Sequence, residues 1–114
     1  MPYIETKTNV KVTEEQKKEL KAVFADAIEL IPGKSEEWLM LGFSDGMTMA
    51  FRGDIDSPAA MIEIDVFGKS TESAYAALTE RVCDEVSRVL AVSPDRIYVK
   101  YRECNIWGYN GFNF

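Results

Sequence analysis

Proton transfer in this chain cannot rest on histidine, because there is none. A Ser-His-Asp triad, a Cys-His pair and a zinc site built on imidazole are thereby excluded. The bases that remain are carboxylates, lysines, tyrosines, thiolates and the amino terminus itself. Pro2 is the unusual one. Initiator methionine is normally removed ahead of a small residue, and here its removal exposes a secondary amine. A terminal α-amine titrates at about 7.7–8.0, and burial or a nearby cation lowers that value. In an apolar pocket such an amine is largely neutral at neutral pH and can take a proton from carbon. Met-Pro alone is a weak signal, since many chains begin that way. What matters is whether an element holds Pro2 in place.

The pattern supplies one. Ile4 to Val10 is rich in β-formers and predicts a strand with Pro2 at its head. Thr13 followed by Gln16 has capping-box spacing, and Glu14 and Glu15 suit the positive end of a helix dipole. Leu20, Val23, Phe24, Ala27, Ile28 and Ile31 form the buried stripe of that first helix, and Pro32-Gly33 stops it. Trp38 to Phe43 predicts a strand, Asp45-Gly46 a turn, and Met47 to Phe51 a short return strand. Arg52 to Pro58 is a loop, and Ala60 to Phe67 a further strand broken by Gly68. A second helix begins near Ser70 or Thr71, buries Ala74, Leu78, Val82, Val86 and Val89, and ends at Ser93-Pro94-Asp95. Ile97 to Arg102 is the last long strand, and Asn105 to Phe114 a short aromatic tail.

Each half thus reads strand, long helix, strand. Tyr3-Ile4-Glu5 matches Met61-Ile62-Glu63 at an offset of 58, and Trp38 to Leu41 falls opposite Ile97 to Lys100 at 59. This is an internal βαβ repeat, about 2–58 and 60–114, in one domain of the α+β class. Two units make a four-stranded sheet with two helices on one face. Met40, Ile64 or their neighbours must point to the other face, and a sheet with apolar residues on both faces needs a partner, so a homo-oligomer is expected.

At 114 residues the chain has the length of one domain. It carries 19 acidic and 13 basic residues, a net charge of −6. That balance argues against general binding to nucleic acid or an anionic membrane, which needs clustered cations. Cys83 and Cys104 lie 21 residues apart, no disulfide framework and no metal-type pair. Cys83 is expected as a small apolar core residue. No apolar run approaches the ~20 residues of a membrane span, and the start lacks the regions of a signal peptide. A cytoplasmic protein is expected, with leaderless export left open.

Five features then occur in order: Pro2; Gly33-Lys34; Met49-Ala50-Phe51 ahead of Gly53 and Pro58; Ser93-Pro94-Asp95-Arg96-Ile97-Tyr98; and Trp107-Gly108-Tyr109-Asn110-Gly111. Together they resemble the macrophage migration inhibitory factor family of the tautomerase superfamily, over essentially the whole chain. The resemblance implies a homotrimer with helices outside, sheets around a central channel and active sites between subunits. It implies Pro2 as the base in keto–enol tautomerisation of phenylpyruvate-type aryl 2-keto acids, and of dopachrome analogues in some members, with no cofactor and no metal.

Other positions follow from the same resemblance. Lys34 matches the lysine that holds the substrate carboxylate, and it would also depress the Pro2 pKa by like-charge repulsion. Phe67 falls where an aliphatic residue offers its backbone N–H to substrate. Tyr98 matches a tyrosine contributed by the neighbouring subunit. Tyr3, Trp38, Trp107 and Tyr109 are candidate aromatic walls, Trp107 foremost, although ordinary packing would explain any of them. Lys100 stands where well-known members carry asparagine. It shares a strand face with Tyr98 and is a second cation for the carboxylate if it points inward. The stretch after Pro58 reads Ala59-Ala60-Met61-Ile62 in place of the CxxC of some members, so thiol-oxidoreductase activity is not expected. Three classes of function remain: a trimeric tautomerase; a secreted cytokine-like ligand of a protein receptor; and, if Met1 is retained, an inert assembly.

Overall fold

A computed structural model describes residues 1–114. Strand β1 (Pro2–Thr8) lies inside the sheet, parallel to β2 (Met40–Ser44) on one side and antiparallel to β3 (Ala60–Phe67) on the other. Strand β4 (Ile97–Cys104) runs parallel to β3, which gives the order β2-β1-β3-β4. Each half is a βαβ unit, and the units meet through the antiparallel β1–β3 pair. Helices α1 (Glu14–Ala27) and α2 (Glu72–Leu90) cross on the same sheet face. A small hairpin, β5 (Gly108–Tyr109) with β6 (Phe112–Asn113), closes the chain.

Local chemistry explains the helix starts. Thr13 accepts from the Gln16 backbone N–H, and the Gln16 side chain accepts from the Thr13 N–H, so both halves of the capping box form. Thr71 caps α2 by accepting from the Ala74 N–H. The second helix ends earlier than Ser93-Pro94-Asp95: Ala91 turns left-handed, at φ 56°, directly after Leu90. Between helices and sheet, Ile4, Leu20, Phe24, Ile28, Ile62, Ile64, Leu78, Val82 and Val86 are wholly buried. Cys83 is only half-buried, beside that stripe and not within it.

Ile64 belongs to this core, contrary to the expectation that it would face the other way. The open face of the sheet is charged. The β1–β3–β4 register places Glu5, Glu63 and Lys100 in one row and Tyr3, Asp65 and Arg102 in the next. Glu63 is 6% exposed and ionised among cations: Lys100 Nζ at 2.8 Å, Lys7 Nζ at 2.5 Å and an Arg102 nitrogen at 3.8 Å. Hydrogen bonds from Lys100 and Lys7 lower its pKa to about 2. Asp65 accepts from Arg102 Nε at 2.7 Å. Met40, paired with Tyr3, does lie on the open face and is 67% exposed, so that face carries an ion-paired network beside exposed apolar residues, and the expectation holds for Met40 but not for Ile64.

Two further expectations differ. Trp38 lies in a 3-10 turn, Glu36–Trp38, ahead of β2. Met47 to Phe51 forms no strand; Phe51 makes only an isolated bridge to Asp54. At the end of this segment the Phe51 carbonyl accepts from the Arg96 side chain and from the Asp54 N–H.

The depressed Glu63 pKa fixes a pH dependence. Its stabilising contribution is complete above the ordinary glutamate range and lost as pH falls through about 2. Glu63→Gln should cost about 1–2 kcal/mol at neutral pH and flatten the fall in urea midpoint between roughly pH 4.5 and 2, read by far-UV circular dichroism.

Candidate active site at the head of the first strand

Pro2 is buried and begins β1, paired with Val66. Proline lacks the N–H of a ladder donor, and the first position of a strand tolerates that loss. The register continues one residue outward: the Phe67 N–H donates to the Met1 carbonyl at 3.0 Å. The Phe67 carbonyl in turn accepts from Lys34 Nζ at 2.9 Å. Lys34 reaches this point because the chain turns at Gly33, whose φ of 83° favours glycine. Burial, and then the charge and hydrogen bonding of Lys34, hold the Met1 amine below its ordinary pKa. The amino terminus, Lys34 and the Phe67 backbone thus form one polar cluster.

Beside it opens a cavity of about 470 Å³, lined by Met1, Pro2, Tyr3, Glu37, Trp38, Leu39, Met40, Trp107, Gly108 and Tyr109. Trp38 and Tyr109 meet edge to face at 5.2 Å. Tyr109 also stacks on Phe114, which lies 5.9 Å from Phe67, so the tail hairpin forms the outer wall. The Tyr3 ring crosses the open sheet face over Gly42, where an added Cβ would stand 2.5 Å from its hydroxyl. Burial and the neighbouring Glu5 raise the Tyr3 pKa.

Five of the expected positions therefore share this cavity: Pro2, Tyr3, Trp38, Trp107 and Tyr109. Lys34 and the Phe67 amide adjoin it at Met1. Tyr98 and Lys100 do not. Lys100 shares the open face with Tyr98, as the strand alternation requires, and is engaged with Glu63. Tyr98 is 56% exposed and lines a separate cavity of about 200 Å³. Val66, the partner of Pro2, pairs with Glu103, five residues along β4 from Tyr98. That is about 17 Å of strand. Sequence reasoning overlooked Glu37, Leu39 and Met40 as lining residues. The expected strand from Trp38 hid the 3-10 turn that presents the first of them.

A double βαβ sheet that buries an amino-terminal proline against an aromatic cavity sets this chain in a definite class. The family model described as Macrophage migration inhibitory factor (MIF) matches residues 1–114. The chain belongs to that family. It is 28% identical to the Leishmania major MIF2 crystal structure, with a TM-score of 0.93 over 100% of this chain and 97% of that one. The macrophage migration inhibitory factor homologue from Prochlorococcus marinus is 26% identical, with a TM-score of 0.81 over 98% of each chain. Macrophage migration inhibitory factor of Meriones unguiculatus is 29% identical over 84 residues, 72% of either chain. No helix is long and apolar enough to cross a membrane.

One consequence is local and measurable. Removing Met1 takes away the acceptor of the Phe67 N–H. Amide hydrogen exchange at Phe67 should then be faster in the Met1-free protein than in a Met1-retaining sample, while Ile64 exchange stays unchanged.

Proposed function

We propose that this chain is a keto–enol tautomerase acting on phenylpyruvate-type aryl 2-keto acids, with Pro2 as the acid and base. The observation that carries the reading is the amino terminus itself, half-buried at the mouth of an aromatic cavity, its amine held below its usual pKa by burial and Lys34. In the unprocessed chain the Pro2 nitrogen is an amide and carries no basic lone pair. Loss of Met1 leaves a secondary amine beside the same Lys34 cation and the same cavity, and both burial and a nearby cation lower the pKa of an amine.

The steps follow from that placement. The Pro2 amine takes the proton from the carbon next to the substrate carbonyl. The C–H bonding pair forms the C=C bond, and the carbonyl π pair moves to oxygen. The prolinium then returns its proton to that oxygen, so the keto acid becomes the enol and the amine is regenerated. Lys34 holds the carboxylate. The Phe67 N–H, freed by loss of the Met1 carbonyl, offers a second donor. Tyr3, Trp38, Trp107 and Tyr109 enclose the ring.

Tyr98 completes the site only from another copy, given its distance along β4 from Pro2. We therefore include a homotrimer with intersubunit sites in the proposal; Lys100 would enter with Tyr98 as a further cation.

Replacing Pro2 by Gly, with Met1 removal verified by intact mass, should lower phenylpyruvate turnover by about 10²–10⁴. Unchanged turnover would sink the mechanism. Lys34→Met should raise KM at least about tenfold. It should also move the acid limb of kcat/KM to higher pH, because Lys34 lowers the amine pKa and its loss lets that pKa rise.

A further inference from the structure

Arg96 has no part in the chemistry proposed above, yet it is bound on every side. Its Nε donates to the Pro58 carbonyl at 2.8 Å and its Nη1 to the Phe51 carbonyl at 3.1 Å. Its Nη2 donates to the Asp54 and Ser57 carbonyls at 3.1 and 3.2 Å. The side chain is 13% exposed, and the guanidinium sits 5.5 Å from the centre of the Phe51 ring. Four carbonyls of one loop are thus gathered by one planar fork. Lysine has neither the planarity nor the stacking surface to do the same.

The loop so held carries Phe51, and Phe51 packs edge to face on Tyr98 at 4.9 Å and 76°. Arg96 ends the 3-10 turn Pro94–Arg96 and Tyr98 is the second residue of β4, so the contacts close a ring: Arg96 to Phe51, Phe51 to Tyr98, and back along the backbone. All three border the same cavity of about 200 Å³. Asn9 and the Asp54 carboxylate hold the far part of the loop, from Asp54 to Ala59, but at Phe51 itself the backbone bonds only to Asp54 and Arg96. More than half of Tyr98 is exposed, so the Phe51 edge is a principal constraint on its ring.

We propose that Arg96 is a positioning residue for substrate binding, setting the Tyr98 ring through the clamped Phe51. The inference rests on the proposed tautomerase site, in which Tyr98 faces substrate held by a neighbouring copy. Arg96 touches no substrate. Its effect belongs in KM, because a displaced Tyr98 weakens the hold on substrate while Pro2 keeps its proton transfer.

The test uses the Met1-free assembled protein, with phenylpyruvate kinetics and thermal midpoints measured on the same samples. Arg96→Lys should raise KM about fivefold or more and leave kcat within about twofold. Phe51→Leu keeps the Arg96–carbonyl bonds, since they end on backbone oxygens, and should show the same split. The double variant should be no worse than the more affected single, because both break one linkage. Tyr98→Ala sets the ceiling for the KM effect. If Arg96→Lys lowers the thermal midpoint but leaves KM unchanged, Arg96 is a structural clamp and the inference falls. A wild-type KM in Phe51→Leu overturns it too, and that variant decides alone if Arg96→Lys does not fold. A wild-type KM in Tyr98→Ala removes Tyr98 from the site and the inference with it. The tautomerase reading stands or falls separately, on Pro2→Gly.

Discussion

The placement of β1 inside the sheet governs the rest of the molecule. Were β1 an edge strand, its first residues would fray, and a terminal amine there would be solvated and protonated. With β2 on one side and β3 on the other, the strand is held from Pro2 onward. The Phe67–Met1 hydrogen bond extends the pairing past the proline. A group normally found on a mobile tail is instead tied to the sheet on both sides of the proline. The unusual pKa environment follows from that fixation, since neither burial nor Lys34 acts on an amine that moves away.

Fixation also reconciles a chain of net charge −6 with the anionic substrate class proposed for it. Global charge sets long-range repulsion, which salt screens within about 10 Å. The polar cluster at the strand head is local and cationic, and although Glu37 lines the cavity, the acidic residues of the open sheet face are engaged within the chain. Glu63 is bound by Lys7 and Lys100, Asp65 by Arg102, Glu5 by the Ser44 hydroxyl. Neutralising the open face in this way leaves Lys34 as the cation beside the amino terminus. The same pairing engages Lys100 with Glu63. Lys100 is therefore a weaker claimant for the carboxylate than its position beside Tyr98 suggests.

How far the sequence reveals this depends on how local each signal is. The Thr13–Gln16 capping box, the two helices and the four long strands are written within a few residues each and appear, with the first strand two residues earlier than Ile4–Val10 and with Val23, Ala74 and Val89 only half-buried. The βαβ repeat is legible because both units must bury one helix on the same sheet face. Ile64 is a different case: Ile62, Ile64 and Val66 alternate with Glu63 and Asp65, so the period of two by itself puts the three apolar residues on one face. The pairing of Ile64 with Ile4, 60 residues apart, sets that face against the core. The missing strand at Met47 to Phe51 has a non-local cause. Its local residues suit a hairpin, and the competitor is an arginine 45 positions away at Phe51. Arg96 stood in the most specific motif of the chain, yet the motif gives no reason for it. The reason is the loop whose carbonyls it collects.

The geometry leaves one constraint that no rearrangement of a single chain relieves. Pro2 and Tyr98 lie on strands locked in register through β3, about 17 Å apart along β4, and the paired strands cannot slide without exposing the core. In the proposed tautomerase a rigid sheet therefore offers two incomplete sites, an amine with its aromatic cavity at one end and a clamped tyrosine at the other. Bringing them together requires a second copy, placed so that the β4 face of one approaches the β1 head of the next. Each copy then gives one half and receives the other, a head-to-tail contact that closes only as a ring. The charged open face suits that arrangement, because ions already neutralised within one chain can be covered by a neighbour without stranding an unpaired charge. In the proposed trimer, the fixation that prepares Pro2 is also what makes its partner tyrosine arrive from another subunit.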